Sequence, residues 1–263
     1  MLPIKDTVTI VTGSSSGIGA ATVRMLAENG GHVVINYSKS AAAAEKVAAE
    51  CRAFGVETLT CQADVGNEAD RLRLVDETMK KFGRVTGLVN NAGTTVFVDH
   101  ANLGGLSEED FLNLYKLNVV GAFMMTRACE APMRAGGTGS VVNISSVAGV
   151  MGVGSSIAYA ASKGALNTMT LSLARVMGPE IRVNTVCPGF VVGEWLKQGM
   201  GEEKYESTRA ALAKGTALRK PGGTAEDMAE SVIWFLYGAR HVTGEFLLTD
   251  GGQHLGQAPL IAR

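Results

Sequence analysis

The sequence predicts a single α/β domain, a doubly wound parallel sheet of about seven strands with helices on both faces. Short β-branched runs alternate with longer helical patterns from the first strand to the last, the signature of parallel strands joined by crossover helices. No Pro- or Ser-rich linker and no fixed-period repeat interrupts that alternation, and 263 residues are enough to bury one substantial core.

The first strand is expected at residues 8–12, a β-branched run that leads into Thr12-Gly13-Ser14-Ser15-Ser16-Gly17-Ile18-Gly19 and a helical pattern over 17–29. A strand at 32–36 and a helix at 41–54 follow, then a strand at 57–61 and a helix at 68–82. The strand at 87–90 precedes a long helical pattern over 108–133, and the strand at 140–144 precedes one over 158–177. Strands at 182–186 and 245–248 flank a helix at 225–236. Residues 193–223 break the rhythm, mixing Trp195, Leu196, Met200, Tyr205 and Leu212 with charges and several glycines. Because this segment follows a strand's carboxyl end, where ligands bind in open α/β sheets, it reads as a lid over the substrate. A surface helical hairpin is the plainer alternative.

Three glycines span the first strand-to-helix turn, each with a physical task. Gly13 permits the tight turn, Gly17 lets backbone approach a pyrophosphate, and Gly19 allows close helix packing, while the helix N-terminus offers unpaired N–H groups to the anion. The position of the turn after the first strand strengthens a signal that is weak alone. A site preferring NAD is expected to carry an acid at the end of the second strand to accept from the ribose 2′-hydroxyl. Here the strand ends Ile35-Asn36-Tyr37-Ser38-Lys39-Ser40, with hydroxyls and a cation and no carboxylate, which suits the extra phosphate of NADP. A capped helix start at Ser40 beside a solvated lysine is the structural alternative.

Tyr159 and Lys163 in Tyr-Ala-Ala-Ser-Lys stand four residues apart. A helix places them on one face, where an ammonium is expected to stabilise a phenolate and lower the tyrosine from its ordinary pKa of about 10. Such a tyrosine can serve as a general acid near neutral pH. Beside a dinucleotide turn it points to hydride chemistry on a carbonyl or alcohol.

Thr-Gly-x-x-x-Gly-Ile-Gly at 12–19, Asn90-Asn91-Ala92-Gly93, Asn118, Ser146, Tyr159-x-x-x-Lys163 and Pro188-Gly189 resemble, in this order, the short-chain dehydrogenase/reductase family. The flavour is that of its 3-oxoacyl carrier-protein reductase-like members. Asp64-Val65 after the third strand and the ending from Thr243-Gly244-Glu245 to Asp250-Gly251-Gly252 agree as well, so the match covers nearly the whole chain. The resemblance implies a Rossmann-type domain assembled as a homotetramer or homodimer. It also implies NADP(H), with NAD(H) possible, held by Gly13, Ser15, Ser16, Gly17, Ile18 and Gly19 and by Tyr37, Ser38, Lys39 and Ser40. By the same resemblance Tyr159 is the proton donor or acceptor, Lys163 lowers its pKa and binds the nicotinamide ribose, and Ser146 holds the substrate oxygen. Asn118 anchors a water that connects Lys163 to solvent. Asp64 and Val65 contact the adenine, Asn90, Asn91, Ala92 and Gly93 line the adenine-ribose side, and Pro188, Gly189 and Val191 meet the nicotinamide carboxamide. Ser146 is preferred to Ser145 because it stands thirteen residues before Tyr159, the family's spacing. One departure is Gly193, where members commonly carry threonine or serine to help hold the carboxamide.

A formal net charge of -1 gives no sign of the basic surface that nucleic acid or anionic membrane needs. The chain start lacks the basic and apolar pattern of a secretory signal, and no stretch reaches the ~18 apolar residues of a membrane span. Cys51, Cys61, Cys129 and Cys187 form no paired motif, which fits a reducing, cytoplasmic setting. His32, His100, His241 and His254 are too dispersed for a metal site, and none is expected. Apolar candidates for a substrate wall, residues 94–98 and 150–153 with Phe190, Trp195 and Met200, indicate a carbonyl or alcohol substrate with a hydrophobic body. An acyl thioester on a carrier protein stays open, although Lys197, Lys204 and Arg209 are interleaved with Glu194, Glu202, Glu203 and Glu206. An NAD-linked alcohol or hydroxysteroid dehydrogenase and a noncatalytic dinucleotide-binding sensor or scaffold are the competing readings. The small residues Ala160, Ala161, Gly164 and Ala165 would let a second helix approach closely, or else pack on their own sheet. The tail 257–263 could reach a neighbouring subunit, which the sequence itself does not show.

Overall fold

The computed structural model describes residues 4–256; the tail reading above lies outside them. Strands β1 (Val8–Val11), β2 (His32–Tyr37), β3 (Thr58–Gln62), β4 (Gly87–Asn90), β5 (Gly139–Ile144), β6 (Ile181–Pro188) and β7 (Phe246–Thr249) form one sheet in the order β3-β2-β1-β4-β5-β6-β7. Every pairing is parallel. The central strands β1, β4 and β5 are buried along their whole length, as expected for a sheet covered on both faces. This is the single Rossmann-type α/β domain that the alternation predicts.

Helices α1 (Gly17–Glu28), α2 (Ala41–Arg52) and α3 (Glu68–Phe82) connect the first strands, followed by α4 (Glu108–Tyr115), α5 (Ala122–Ala135), α6 (Ala148–Met151) and α7 (Ile157–Met177). Then come α8 (Glu194–Met200), α9 (Glu202–Gly215) and α10 (Ala225–Ile233). One apolar core joins α1, α2 and α10 to one face of the sheet through Val23, Leu26, Val47, Val232 and Phe235. The other joins α3, α5 and α7 through Leu74, Met125, Cys129, Met133, Leu173 and Met177. The chain order reverses between β1 and β4, so the carboxyl ends of these two strands open a crevice of the kind in which doubly wound sheets bind ligands.

Two helical expectations need correction. The pattern read as one helix over 108–133 is divided by a π-helical turn at Lys116–Gly121, which periodicity cannot show because the apolar stripe continues through it. The pattern over 225–236 stops being α-helical at Ile233 and passes into a second π-helical turn, Trp234–Gly238. Gly164 meets Gly149 of α6 within its own chain, whereas Ala161 is exposed. The small residues of α7 therefore serve intramolecular packing at Gly164. No helix among the described residues is long and apolar enough to cross a membrane, and among them no group of three or more His, Cys, Asp or Glu is placed to hold a metal. All four cysteines are buried and free.

Candidate active site

The crevice is a cleft of about 1570 Å³. Its nucleotide end starts at the glycine turn. Gly17 has φ +54° with nothing within 4 Å of an added Cβ, so its left-handed backbone leaves open space above the start of α1. Ser16 caps that helix without a side-chain hydrogen bond, and no acidic residue lies in the first turn. Unmatched amides and an uncompensated positive helix end are what a diphosphate needs, so the residues present fit a dinucleotide. Gly13, Ser15, Ser16, Gly17 and Ile18 line the cleft. Gly19 lies beneath the turn, where an added Cβ would come within 2.6 Å of Asn91 Nδ2.

Asn36 organises this turn, a role that reading the strand end for cofactor preference misses. Its Oδ1 accepts from Gly13 N at 3.1 Å, and its Nδ2 donates to Cys61 O at 3.3 Å and Ala63 O at 2.9 Å. One buried amide thus joins β1's turn to the ends of β2 and β3. Tyr37, Ser38, Lys39 and Ser40 line the cleft beside it. Asp64 and Val65 line it from the end of β3, with Asp64 Oδ1 accepting from Gly66 N at 2.8 Å.

Asn91, Ala92 and Gly93 also line the cleft, and Asn91 Nδ2 donates to Thr12 O and Gly13 O at 2.9 and 3.0 Å. Asn90 departs from its expected place. It is 4% exposed, and its Nδ2 donates to Ala122 O, Thr126 Oγ1 and Asn143 Oδ1. The pleat turns it inward, so it braces β4 against α5 and β5 and does not line the adenine-ribose wall.

The second half of the site is built on α7. Ser156 caps the helix by accepting from Tyr159 N at 3.2 Å, which fixes the first turn. Lys163, one turn later, is 5% exposed, donates from Nζ to Ile144 O at 2.8 Å, and lies 5.6 Å from the Tyr159 ring centroid. Ser146 lines the cleft beside Tyr159, near enough to lower its pKa, and its Oγ accepts from Ala148 N at 3.1 Å. Ser145 is committed elsewhere, donating to Lys163 O at 3.2 Å.

The pKa of Tyr159 corrects the expectation from spacing. Burial pushes the hydroxyl up to about 12, against a hydrogen bond to Ser146 that lowers it and the nearby Cys187 thiol that raises it. Lys163 faces the ring and donates an Nζ–H hydrogen bond to Ile144 O, so desolvation dominates. The same burial brings Lys163 down to about 8. Cys187, read as core from sequence, lies beneath these groups and has its own thiol pushed up to about 11 by burial.

Because folding lowers the Lys163 pKa from 10.5 to about 8, its charged form is a cost to the folded state below pH 8. That cost is relieved as pH rises from 8 towards 10.5. Lys163→Met is therefore expected to melt above the wild type at pH 7 and to lose that margin between pH 8 and 10.5. A constant difference across the range in paired thermal melts would refute the assignment.

Asn118 lies in the π-helical turn and is 2% exposed. Its Oδ1 accepts from Thr94 N at 2.9 Å, and its Nδ2 donates to Thr94 O and Ser162 Oγ, each at 3.0 Å. The side chain thus joins the wall after β4 to the catalytic helix. An added Cβ on Gly93 would lie 3.3 Å from Asn118 Oδ1 and 3.6 Å from Lys163 Nζ, so both side chains reach the same face of Gly93.

Pro188, Gly189 and Val191 complete this end of the cleft. Gly193 is extended, with φ 161°, nothing lies within 4 Å of an added Cβ, and its N–H donates to Tyr205 Oη at 3.0 Å. Backbone geometry does not require glycine there. Gly193→Thr is expected to change stability by less than about 0.5 kcal/mol and to bind nucleotide as tightly as the wild type or more so; a marked drop in melting temperature would contradict this.

Residues 193–223 form the α8–α9 pair. Its two ends are stitched together by Val192 N to Gly223 O at 2.8 Å and Gly223 N to Phe190 O at 2.9 Å. Tyr205, 5% exposed, packs on Phe190 with centroids 5.4 Å apart. Trp195, Leu196, Met200 and Lys204 line the cleft from this pair, opposite Phe97, Val98 and Val153. Of the expected substrate wall, Thr95, Val96, Val150, Met151 and Gly152 do not line it; Val150 faces solvent at 51% exposure.

A one-domain parallel sheet with a nucleotide-fitting turn and a serine, tyrosine and lysine gathered at the strand ends defines an oxidoreductase working with a nicotinamide dinucleotide. The chain belongs to the short chain dehydrogenase family, which matches residues 7–203. It is 41% identical over 248 residues to a protein named as ketoacyl reductase 2 of the granaticin polyketide synthase of Streptomyces violaceoruber, covering 94% of this chain and 96% of the relative. It is 34% identical over 253 residues to a 3-oxoacyl-[acyl-carrier-protein] reductase of Synechocystis, covering 96% and 98%. The crystal structure of an NAD+-bound xylitol dehydrogenase superimposes with a TM-score of 0.85 at 28% identity, covering 95% of this chain and 99% of that one.

Proposed function

We propose that the protein is an NADPH-dependent reductase that converts a ketone, β-ketoester or 3-oxoacyl thioester to the alcohol, and runs the reverse oxidation at the same site. The observation that carries this reading is the grouping of Ser146, Tyr159 and Lys163 at the strand ends of a cleft whose other end fits a diphosphate. A nicotinamide dinucleotide, when bound, supplies or accepts the hydride. Ser146 donates a hydrogen bond to the substrate oxygen and holds it against Tyr159. Tyr159 Oη gives its proton to that oxygen in reduction and takes it back in oxidation. Lys163, with an ammonium that burial makes easier to deprotonate, restores the proton, and Asn118 holds the wall through which solvent replenishes it. Preorganised donors at a developing oxyanion account for the rate.

The NADP preference is supported by a β2 end that carries Ser38, Lys39 and Ser40 at the cleft and no carboxylate. The structural likeness to an NAD+-bound dehydrogenase keeps the NAD-linked alternative in play. The intact Asn118, Ser146, Tyr159 and Lys163 set argues against a noncatalytic sensor. Ser38→Asp decides the matter: an added carboxylate repels a 2′-phosphate and accepts from a 2′-hydroxyl, so the preference is expected to move roughly tenfold or more toward NADH. A wild type already faster with NADH would refute the NADP reading. A cytoplasmic homotetramer or homodimer completes the proposal, with light scattering as its check.

A further inference from the structure

We propose that Phe97 and Trp195 form an aromatic clasp that selects a neutral ketone with a planar ring body. The inference rests on the reductase reading and names its substrate class. Phe97 lies in the segment after β4, held to the approach to α7 by Val98 N donating to Ser155 O at 2.8 Å. Thr95 Oγ1 also bonds Ser155 Oγ. The ring is therefore positioned relative to Tyr159 by the chain immediately before the catalytic helix.

From the other side, α8 presents a notch. An added Cβ on Gly199 would fall 2.0 Å from Phe97 Cε2 and 2.2 Å from Cζ, so the ring edge rests against the helix where a side chain would otherwise stand. Trp195, one turn earlier on the same helix, meets Phe97 edge-on with centroids 6.0 Å apart and planes inclined at 61°. Both rings line the cleft that contains Ser146 and Tyr159, yet Trp195 is 53% exposed. A large aromatic surface half open to the cleft gains contact area and an edge or offset-stacked ring pair when a planar ligand enters.

The charges around the clasp favour a neutral ligand. Besides Tyr159 and the buried Lys163 of the catalytic group, the ionisable groups lining this end are Asp99, Glu194 and Lys204, and no arginine lines any part of the cleft among the described residues. A phosphorylated pantetheine arm would meet two carboxylates and one ammonium. An uncharged ketone carrying an aromatic ring would meet Phe97, Trp195, Phe190, Val153 and Met200.

The test measures NADPH-dependent reduction of 2-tetralone, cyclohexanone and acetoacetyl-CoA by the wild type, Phe97→Leu and Trp195→Ala. Leucine keeps the Gly199 notch filled while removing the ring. The expected result is a kcat/KM for 2-tetralone at least tenfold above that for acetoacetyl-CoA. Each variant should lose about tenfold on 2-tetralone, chiefly in KM, and at most twofold on cyclohexanone. A preference for the thioester, or equal losses on both ketones, overturns the clasp. In a Trp234→Phe background Trp195 is the sole indole, and its quenching by 2-tetralol reads binding without turnover. Quenching that weakens about tenfold in Phe97→Leu, with no reduction of any ketone, supports the clasp while refuting the reductase reading. No quenching at millimolar 2-tetralol overturns the clasp whatever the rates.

Discussion

Replacing Tyr159 with phenylalanine is expected to lower turnover by about 10²–10⁴-fold, the usual contribution of a positioned general acid, and to leave nucleotide affinity unchanged. The ring stays, and with it the packing against Lys163 Nζ at 5.6 Å from the ring centroid. Only the hydroxyl, whose pKa Ser146 lowers, is lost. Because burial holds that hydroxyl near a pKa of about 12, it is protonated throughout the neutral range, and reduction should show no loss from its ionisation below pH ~11. Oxidation needs the phenolate and should quicken as pH rises. Initial rates in both directions, with nucleotide titration by fluorescence, give the answer; a variant that retains wild-type kcat ends Tyr159's assignment.

Gly149→Ala is expected to be nearly as damaging, although residue 149 touches no reacting atom. An added methyl would lie 2.5 Å from Lys163 C, 2.8 Å from Lys163 O and 2.7 Å from Gly164 N. These are helix backbone atoms that cannot swing aside, so α6 and α7 must part. Overpacking of this kind costs about 1–3 kcal/mol, and a shift of α7 near 1 Å misplaces Tyr159 and Lys163 together, worth about 10² in rate. Thermal melts and kcat should therefore fall in the same variant with nucleotide binding at the glycine turn largely kept. Full activity with an unchanged melt would show that the two helices have room to give.

Much of this molecule is legible in its sequence because parallel strands buried on both faces must be β-branched runs, and crossover helices must be long. All seven strands fall within two residues of their expected bounds at each end. What periodicity cannot register is where a side chain points at a strand's last residue. Asn90 and Asn91 read alike, yet one braces β5 and the other ties the glycine turn. Asn36 reads as part of a cofactor-facing stretch, although its amide is spent on backbone groups of Gly13, Tyr37, Cys61 and Ala63. The π-helical turn that carries Asn118 leaves the apolar pattern intact. Gly149 and Gly199 carry no signal at all, because a close approach between distant segments is a property of the packed state. The Tyr159 pKa misleads for a related reason: spacing gives the Lys163 neighbour but not the depth of burial.

The end of β2 divides its labour by burial. Asn36 is buried at the cleft wall and ties the ends of β1's turn, β2 and β3 together, while Tyr37, Ser38, Lys39 and Ser40 line the cleft beside it, the last three of them exposed. On the proposed reading, cofactor choice rests on exposed residues beside a buried amide that ties the strand ends together. If that reading holds, substitutions at residues 38–40 change the dinucleotide while leaving the hydrogen bonds of Asn36 in place.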